Sequence, residues 1–554
     1  MREQAKGKLK VRAISGTYVV FLAFDMVESD ATGLMGFAIR RTDVLRQETT
    51  FLRGIKTFEQ TRPGDGVDEV RSLEHPFQAF QWADYSVKPG QQYEYEVMAM
   101  YGKPESLVAR HQVRIKIATE AEDDGRHAIH FNRGAIASQE YTRRFQGLPP
   151  SKVGEPAYSW LGRDLVQGLI RFIERAKDSS YDLHVAIYEI GIQKPLEALV
   201  AAKARGARVH IVYHAKVGDD QTQENIDELT GAALVDDSVG RANVNLMHNK
   251  FIVLSRHGKP LAVWTGSTNW SVNAFYGQLN VGHAVTDART ARAYLDYWQA
   301  LANDVAIEDM RAWMDSNNQV PPGEPWQAIE PMFSPRSGKS MMTWWTELAN
   351  TELPLFMTFP FGMAKEFQTV YDQNDGVLRF GLLDKFGNGG AAAAAEIALT
   401  MIRKLPNVGL SVAPRGKKTL VNRFDGWQRE VFAIGVNVNW IHTKFMLVDP
   451  LGPSPTTIVG SANWSTNSVN ANDENMLAIF GDTRVADIYF GEFMRLFGHH
   501  RFRESVAWHV EAHGADSKES WTPQDLFPDW RKWVPEHYRS GGEKDIKRRY
   551  FAGT

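Results

Sequence analysis

The most restrictive feature of this chain is that it repeats itself. His248-Asn249-Lys250 is followed by Gly266-Ser267-Thr268-Asn269, and His442-Thr443-Lys444 by Gly460-Ser461-Ala462-Asn463. Positions 248 and 442, 250 and 444, 266 and 460, and 269 and 463 are each separated by 194 residues. A fold compatible with this spacing must hold two copies of one unit, each presenting His, Lys and Asn in the same local geometry. An apolar run follows each lysine, at 251–254 and 445–448, so one strand can carry His and Lys on the same face, two residues apart. A second apolar run precedes each Gly-Ser-x-Asn, at 261–264 and 457–459, so a neighbouring strand can bring Asn alongside them.

Helix and strand signals alternate around these motifs. Leu165, Leu169, Phe172, Ile173 and Ala176 recur at helical spacing, 182–190 reads as a buried strand, and 196–205 is an amphipathic helix leading through Gly206 into a strand at 207–213. The second half offers the same order, with helix at 341–349, strand at 353–359, helix at 364–371 and strand at 377–383. Repeated βαβ units predict an α/β sandwich in each half.

The amino-terminal stretch differs. Strand-like segments at 19–24, 36–41, 81–85 and 93–101 are separated by polar or Gly/Pro breaks, and Tyr93, Tyr95, Val97, Ala99 and Tyr101 share one parity. Lys88-Pro89-Gly90 supplies the turn before them. With Val87, Pro89, Gly90, Tyr93, Tyr95 and Val97 in this order, the stretch resembles a fibronectin type III-like β-sandwich. The expected domains are a sandwich at 1–118, a linker and entry segment to the main body at 119–157, a first half at 158–320, a second at 321–500, and an aromatic-rich extension at 501–554, whose tryptophans at 521, 530 and 533 pack on the body.

Composition narrows the chemistry. Cysteine is absent, which removes disulfides, thiolate nucleophiles and cysteine-ligated metals. The formal net charge of −3 argues against a globally basic nucleic-acid binder. The first 12 residues are polar and charged, without the apolar core of a secretory leader, so a cytoplasmic protein is expected. His499-His500 lacks partners at ligand spacing and reads as a surface pair.

Two His, two Lys and two Asn suit one reaction. A phosphodiester repels anionic nucleophiles, so its cleavage needs a neutral nucleophile, cations or amide donors on the non-bridging oxygens, and a proton for the leaving alcohol. One imidazole can attack phosphorus while the other protonates the alcohol and then activates water. Lys250, Lys444, Asn269 and Asn463 would hold the phosphoryl oxygens, with Ser267 and Ser461 helping to bind substrate, and neither metal nor cofactor is expected.

These motifs resemble the phospholipase D superfamily, whose signature is H-x-K-x4-D with a downstream G-S-x-N. The second copy matches throughout, with His442, Lys444, Asp449, Ser461 and Asn463, whereas the first has Ser255 at the aspartate position. The resemblance implies a duplicated phospholipase D-like α/β/α sandwich, catalysis by His248 and His442, and a structural anchor at Asp449. It also implies an acidic residue beyond G-S-x-N that bonds each copy's own histidine. Glu474 fills that place for His442, and neutral Gln278 for His248. The implied substrate is a phospholipid head group cleaved to leave phosphatidate, with peripheral membrane contact, or alternatively a DNA or RNA phosphodiester. Trp270-Ser271 and Trp464-Ser465, directly after each Asn, favour the nuclease alternative. An inactive phosphate-binding module would let one of the six residues drift, and all six are present.

Overall fold

A computed structural model describes residues 1–64, 69–134, 139–146, 148–321, 326–387, 392–413, 441–513 and 525–554. Each copy of the repeat is a mixed sheet with the same strand order. Across the first sheet run His127–Phe131, Val281–Val285, Lys259–Gly266, Lys250–Arg256, Tyr181–Ile187, Arg208–His214 and Ser238–Arg241. Across the second run Ile329–Ser334, Asn472–Phe480, Thr456–Gly460, Phe445–Val448, Leu355–Phe359, Arg379–Leu383 and Val408–Val412. In each sheet the last three strands are parallel and the others antiparallel.

The parallel pairs follow from the chain's periodicity. Tyr181–Ile187 crosses through helix Gln193–Ala204 to Arg208–His214, and Leu355–Phe359 crosses through helix Lys365–Tyr371 to Arg379–Leu383. The strands next to the crossovers are buried nearly throughout, as expected where helices cover both faces. Between the sheets lies the largest apolar cluster, which includes Tyr294 and Tyr297 from helix Ala288–Ala302 and Tyr489, Phe490 and Phe493 from helix Thr483–His513. Separate apolar clusters fill the outer side of each sheet, so the body is layered helix, sheet, helix, sheet, helix.

Residues 1–118 form two four-stranded antiparallel sheets closing on their own core, with Tyr93, Tyr95, Val97, Ala99 and Tyr101 all buried in it. Two expectations change. The segment at 119–157 is more than a linker, because His127–Phe131 is the edge strand of the first sheet, paired with Val281–Val285. Its five residues follow an acidic run, and so short an edge strand carries too little alternation to stand out. His499-His500 is not a surface pair either, since His500 is buried on helix Thr483–His513. The carboxyl-terminal extension joins both bodies. Trp533 sits in the sandwich core, Phe551 packs between Phe21 and Phe490, and Trp521 lies outside the described residues. Among the described residues no helix is long and apolar enough to cross a membrane.

Candidate active site

The two sheets meet where their motifs lie. Leu246–Met247, just ahead of the first His-x-Lys, pairs in parallel with Asn472–Asp473 of the other half. The amide of His248 donates to Asp473 O (2.9 Å), and that of His442 to Leu279 O (3.2 Å). Each histidine is thus seated on the backbone of the opposite copy. Behind this seam, Arg241 Nε donates to Asp473 Oδ2 at 2.9 Å, and both side chains are wholly buried.

The glycine of each Gly-Ser-x-Asn is required by the packing of this seam. A Cβ on Gly266 would lie 2.2 Å from Val281 O, and one on Gly460 would lie 2.1 Å from Asn475 O. Gly266 also has φ +138°, a conformation that disfavours any side chain. Replacing Gly460 by alanine must displace the strand that carries Glu474, and is expected to cost about 1–3 kcal/mol. Chemical denaturation measures the loss, and unchanged stability would show that the strand yields freely.

Both imidazoles are buried, His248 being 7% and His442 5% exposed. His248 Nδ1 lies 2.8 Å from Glu474 Oε2, and His442 Nδ1 lies 2.9 Å from Asn280 Oδ1. These pairings correct the expectation from sequence. Glu474 serves His248, not His442. Asn280, not Gln278, partners the other ring, and Gln278 instead uses its backbone carbonyl to accept from Asn132. Because the strands cross the seam, each copy's partner residue reaches the other copy's histidine. With Nδ1–H committed to an oxygen acceptor, each ring keeps its lone pair on Nε2.

The serines are also reassigned. Ser461 Oγ donates to Glu474 Oε2 (2.6 Å) and Ser267 Oγ to Asn280 Oδ1 (2.8 Å), so both hydroxyl protons hold the histidine partners in place. Neither serine is left to bind substrate. Lys444 Nζ lies 2.9 Å from His442 Nε2, and Lys250 Nζ donates to His248 O at 2.6 Å. Asn269 and Asn463 are close by, and the Oδ1 atom of each is buried without a hydrogen-bond partner. Asp449 stands away from the rings, at φ +47°, donating its amide to Pro354 O beside the charges of Arg2 and Arg12. Ser255 is buried opposite Asp182, its hydroxyl unpaired.

Burial sets the electrostatics. It lowers His248 to about 4 despite the opposing pull of Glu474, and Lys250 to about 7 despite Glu474 and Glu189. His442 and Lys444 are driven well below their ordinary values by burial, and by the positive charges of Lys250 and their other neighbours. Burial alone would raise Glu474, but the charge and hydrogen bond of His248 hold it below the usual range. Four potential cations thus face the buried carboxylate of Glu474 and the half-buried one of Glu189, an arrangement that favours an arriving anion.

Sequence reasoning missed Tyr188 and Glu189. The Tyr188 ring is 5.3 Å from the His248 ring and 5.4 Å from Lys250 Nζ, and Glu189 Oε2 accepts a hydrogen bond from Asn269 Nδ2. The sequence places both inside the strand expected at 182–190; the strand ends at Ile187, which leaves them just past its carboxyl end, where functional side chains of α/β folds collect.

Two mirrored His-Lys-Asn sets lie across the seam of a duplicated α/β sandwich, as suits a phosphodiesterase-type enzyme. The family model described as "Cardiolipin synthase, PLD-like domain" matches residues 169–302 and 415–497, the two stretches that carry the repeated motifs. The chain is similar to three solved structures. Nuc, a phospholipase D family member from Salmonella typhimurium, is 22% identical over 24% of this chain and 85% of its own, with a TM-score of 0.22. The phosphatidylserine synthase of Haemophilus influenzae is 12% identical over 60% and 84%, with a TM-score of 0.43. Yeast tyrosyl-DNA phosphodiesterase is 9% identical over 56% and 84%, with a TM-score of 0.32. No curated protein matches the chain.

Proposed function

We propose that this protein hydrolyses the head-group phosphodiester of phospholipids, without metal, through a phosphohistidine on His248. The observation that carries the reading is the set of buried His248, His442, Lys250, Lys444 and Asn269 and half-buried Asn463 around one seam. The lysines and asparagines neutralise the phosphoryl oxygens, the part a divalent ion takes in metal-dependent enzymes. His248, neutral at pH 7, attacks phosphorus through Nε2, and an N–P bond forms as the P–O bond to the alcohol breaks. His442, protonated as the anionic substrate enters, gives its Nε2 proton to the departing oxygen. Water then attacks the phosphoimidazole as His442 takes its proton, the N–P bond breaks, and phosphatidate leaves. A lipid phosphodiester is supported by the description of the matching family model and by the unlike halves, which suit an unsymmetrical substrate.

The test is turnover of phosphatidylcholine and phosphatidylethanolamine vesicles in excess EDTA, beside single- and double-stranded DNA at equal enzyme. Phosphatidate is expected to form faster than DNA is cut, with no dependence on EDTA. Loss of activity restored by a divalent ion would reject the metal-independent mechanism, and DNA degradation without lipid turnover would make the protein a nuclease.

A further inference from the structure

The rim of the site carries a charge that differs between the halves. Past the end of Tyr181–Ile187 stand Tyr188 and Glu189, and past the matching strand Leu355–Phe359 stand Pro360 and Phe361. Glu189 is partly exposed, yet it holds Asn269, a buried amide proposed to bind a phosphoryl oxygen, whose own Oδ1 has no partner. A carboxylate hydrogen-bonded to that amide borders the space where the phosphate and the group attached to it would lie. The Tyr188 ring packs against the rings of His214 and His248, at 5.1 and 5.3 Å, within the field of this carboxylate. Asp219 and Glu224 extend the acidic surface, and their charges, with that of Glu189, add to burial in pushing the Tyr188 phenol up to about 12. Two cations stand nearby: Lys250, whose Nζ is 5.4 Å from the Tyr188 ring on the phosphate side, and Lys216, whose ammonium donates to the backbone and side-chain oxygens of Asn245.

An aromatic face beside a carboxylate attracts a cation, and the same carboxylate repels a second anion brought in next to the phosphate. We infer that Glu189 is a specificity-determining residue that admits phosphodiesters whose neighbouring group is cationic, as in an amino alcohol, and rejects those whose neighbouring group is anionic. This rests on the phosphodiesterase reading and adds to it the charge of the accepted substrate.

The experiment uses the full chain and three p-nitrophenyl diesters that differ in the charge of the second ester group. These are p-nitrophenyl phosphocholine, its uncharged isostere p-nitrophenyl 3,3-dimethylbutyl phosphate, and p-nitrophenyl 3-carboxypropyl phosphate. Wild-type kcat/KM is expected to fall about tenfold at each step from cation to neutral to anion. Glu189→Gln should compress both ratios towards one, and Glu189→Lys should invert them. Ratios within one variant cancel any general loss caused by a displaced Asn269. In unmodified protein, choline should also inhibit more strongly than 3,3-dimethylbutanol. Ratios unchanged by both substitutions, or equal inhibition by the two alcohols, would overturn the inference while leaving the phosphodiesterase intact. If folded wild-type protein turns over none of the three, the phosphodiesterase reading itself fails.

Discussion

Replacing His248 by alanine is expected to abolish hydrolysis of activated and unactivated diesters alike and to remove the phosphoenzyme. Replacing His442 should slow release of a poor alcohol far more than release of p-nitrophenolate, which departs without a proton. The reason lies in the pairings observed across the seam. Attack at phosphorus leaves the nucleophilic ring positively charged, and the Glu474 carboxylate 2.8 Å from His248 Nδ1 stabilises that charge in a buried setting. His442 has the neutral Asn280 at Nδ1 and Lys444 at Nε2 in place of a carboxylate, so it holds a proton weakly once it has gained one, as suits a general acid. Burial keeps His248 near 4, so its Nε2 is unprotonated at pH 7; it lowers His442 as well, which gains its proton only with the incoming anion. Losses of roughly 10⁴-fold or more are expected for His248→Ala on every substrate. Acid quenching and mass spectrometry locate the phosphoryl group, and label on His442 in the wild-type protein would reverse the assignment.

Arg241→Met is expected to destabilise the fold by about 3–5 kcal/mol, because it strands Asp473 in the seam without a cation. Asp473 is already raised to about 6 by burial, against the pull of Arg241. A carboxyl raised above its unfolded value contributes stability at low pH that is lost as pH rises through the folded value. Without Arg241 that value rises further. The gap between variant and wild type should therefore be small near pH 5 and widen above pH 6. Urea unfolding at pH 5 and pH 8 checks this, and an equal gap at both would show that lost packing, not a stranded charge, is the cause. Activity should fall as well, since Asp473 O seats the amide of His248.

The catalytic candidates were legible because a repeat exposes itself: a shared offset singles out His, Lys, Gly and Asn without knowledge of the fold. The partner residues were harder. Glu474 was assigned to the histidine of its own copy, whereas strand crossing at the seam is a tertiary property that local spacing does not encode. Part of the signal was nonetheless present, since the same 194-residue offset sets Asn280, not Gln278, against Glu474. The sequence casts Ser267 and Ser461 as substrate binders, because spacing cannot show that their protons are committed to the histidine partners. Glu189 had no repeated counterpart to announce it, because Phe361 occupies the matching place. His127–Phe131 was hidden by its brevity.

The exchange of partners across the seam has a consequence for how such a chain changes over time. A duplicated unit ordinarily gives one copy licence to diverge while the other keeps working. Here the carboxylate that supports the first histidine lies in the second copy, and the amide that supports the second histidine lies in the first. Neither copy is a self-sufficient ancestor preserved inside the chain. A change at position 280 or 474 is felt by the opposite half, so the two have specialised as a matched pair, one with an ionic support and one with a neutral one. The asymmetry of the reaction is inherited from an exchange that began between equals.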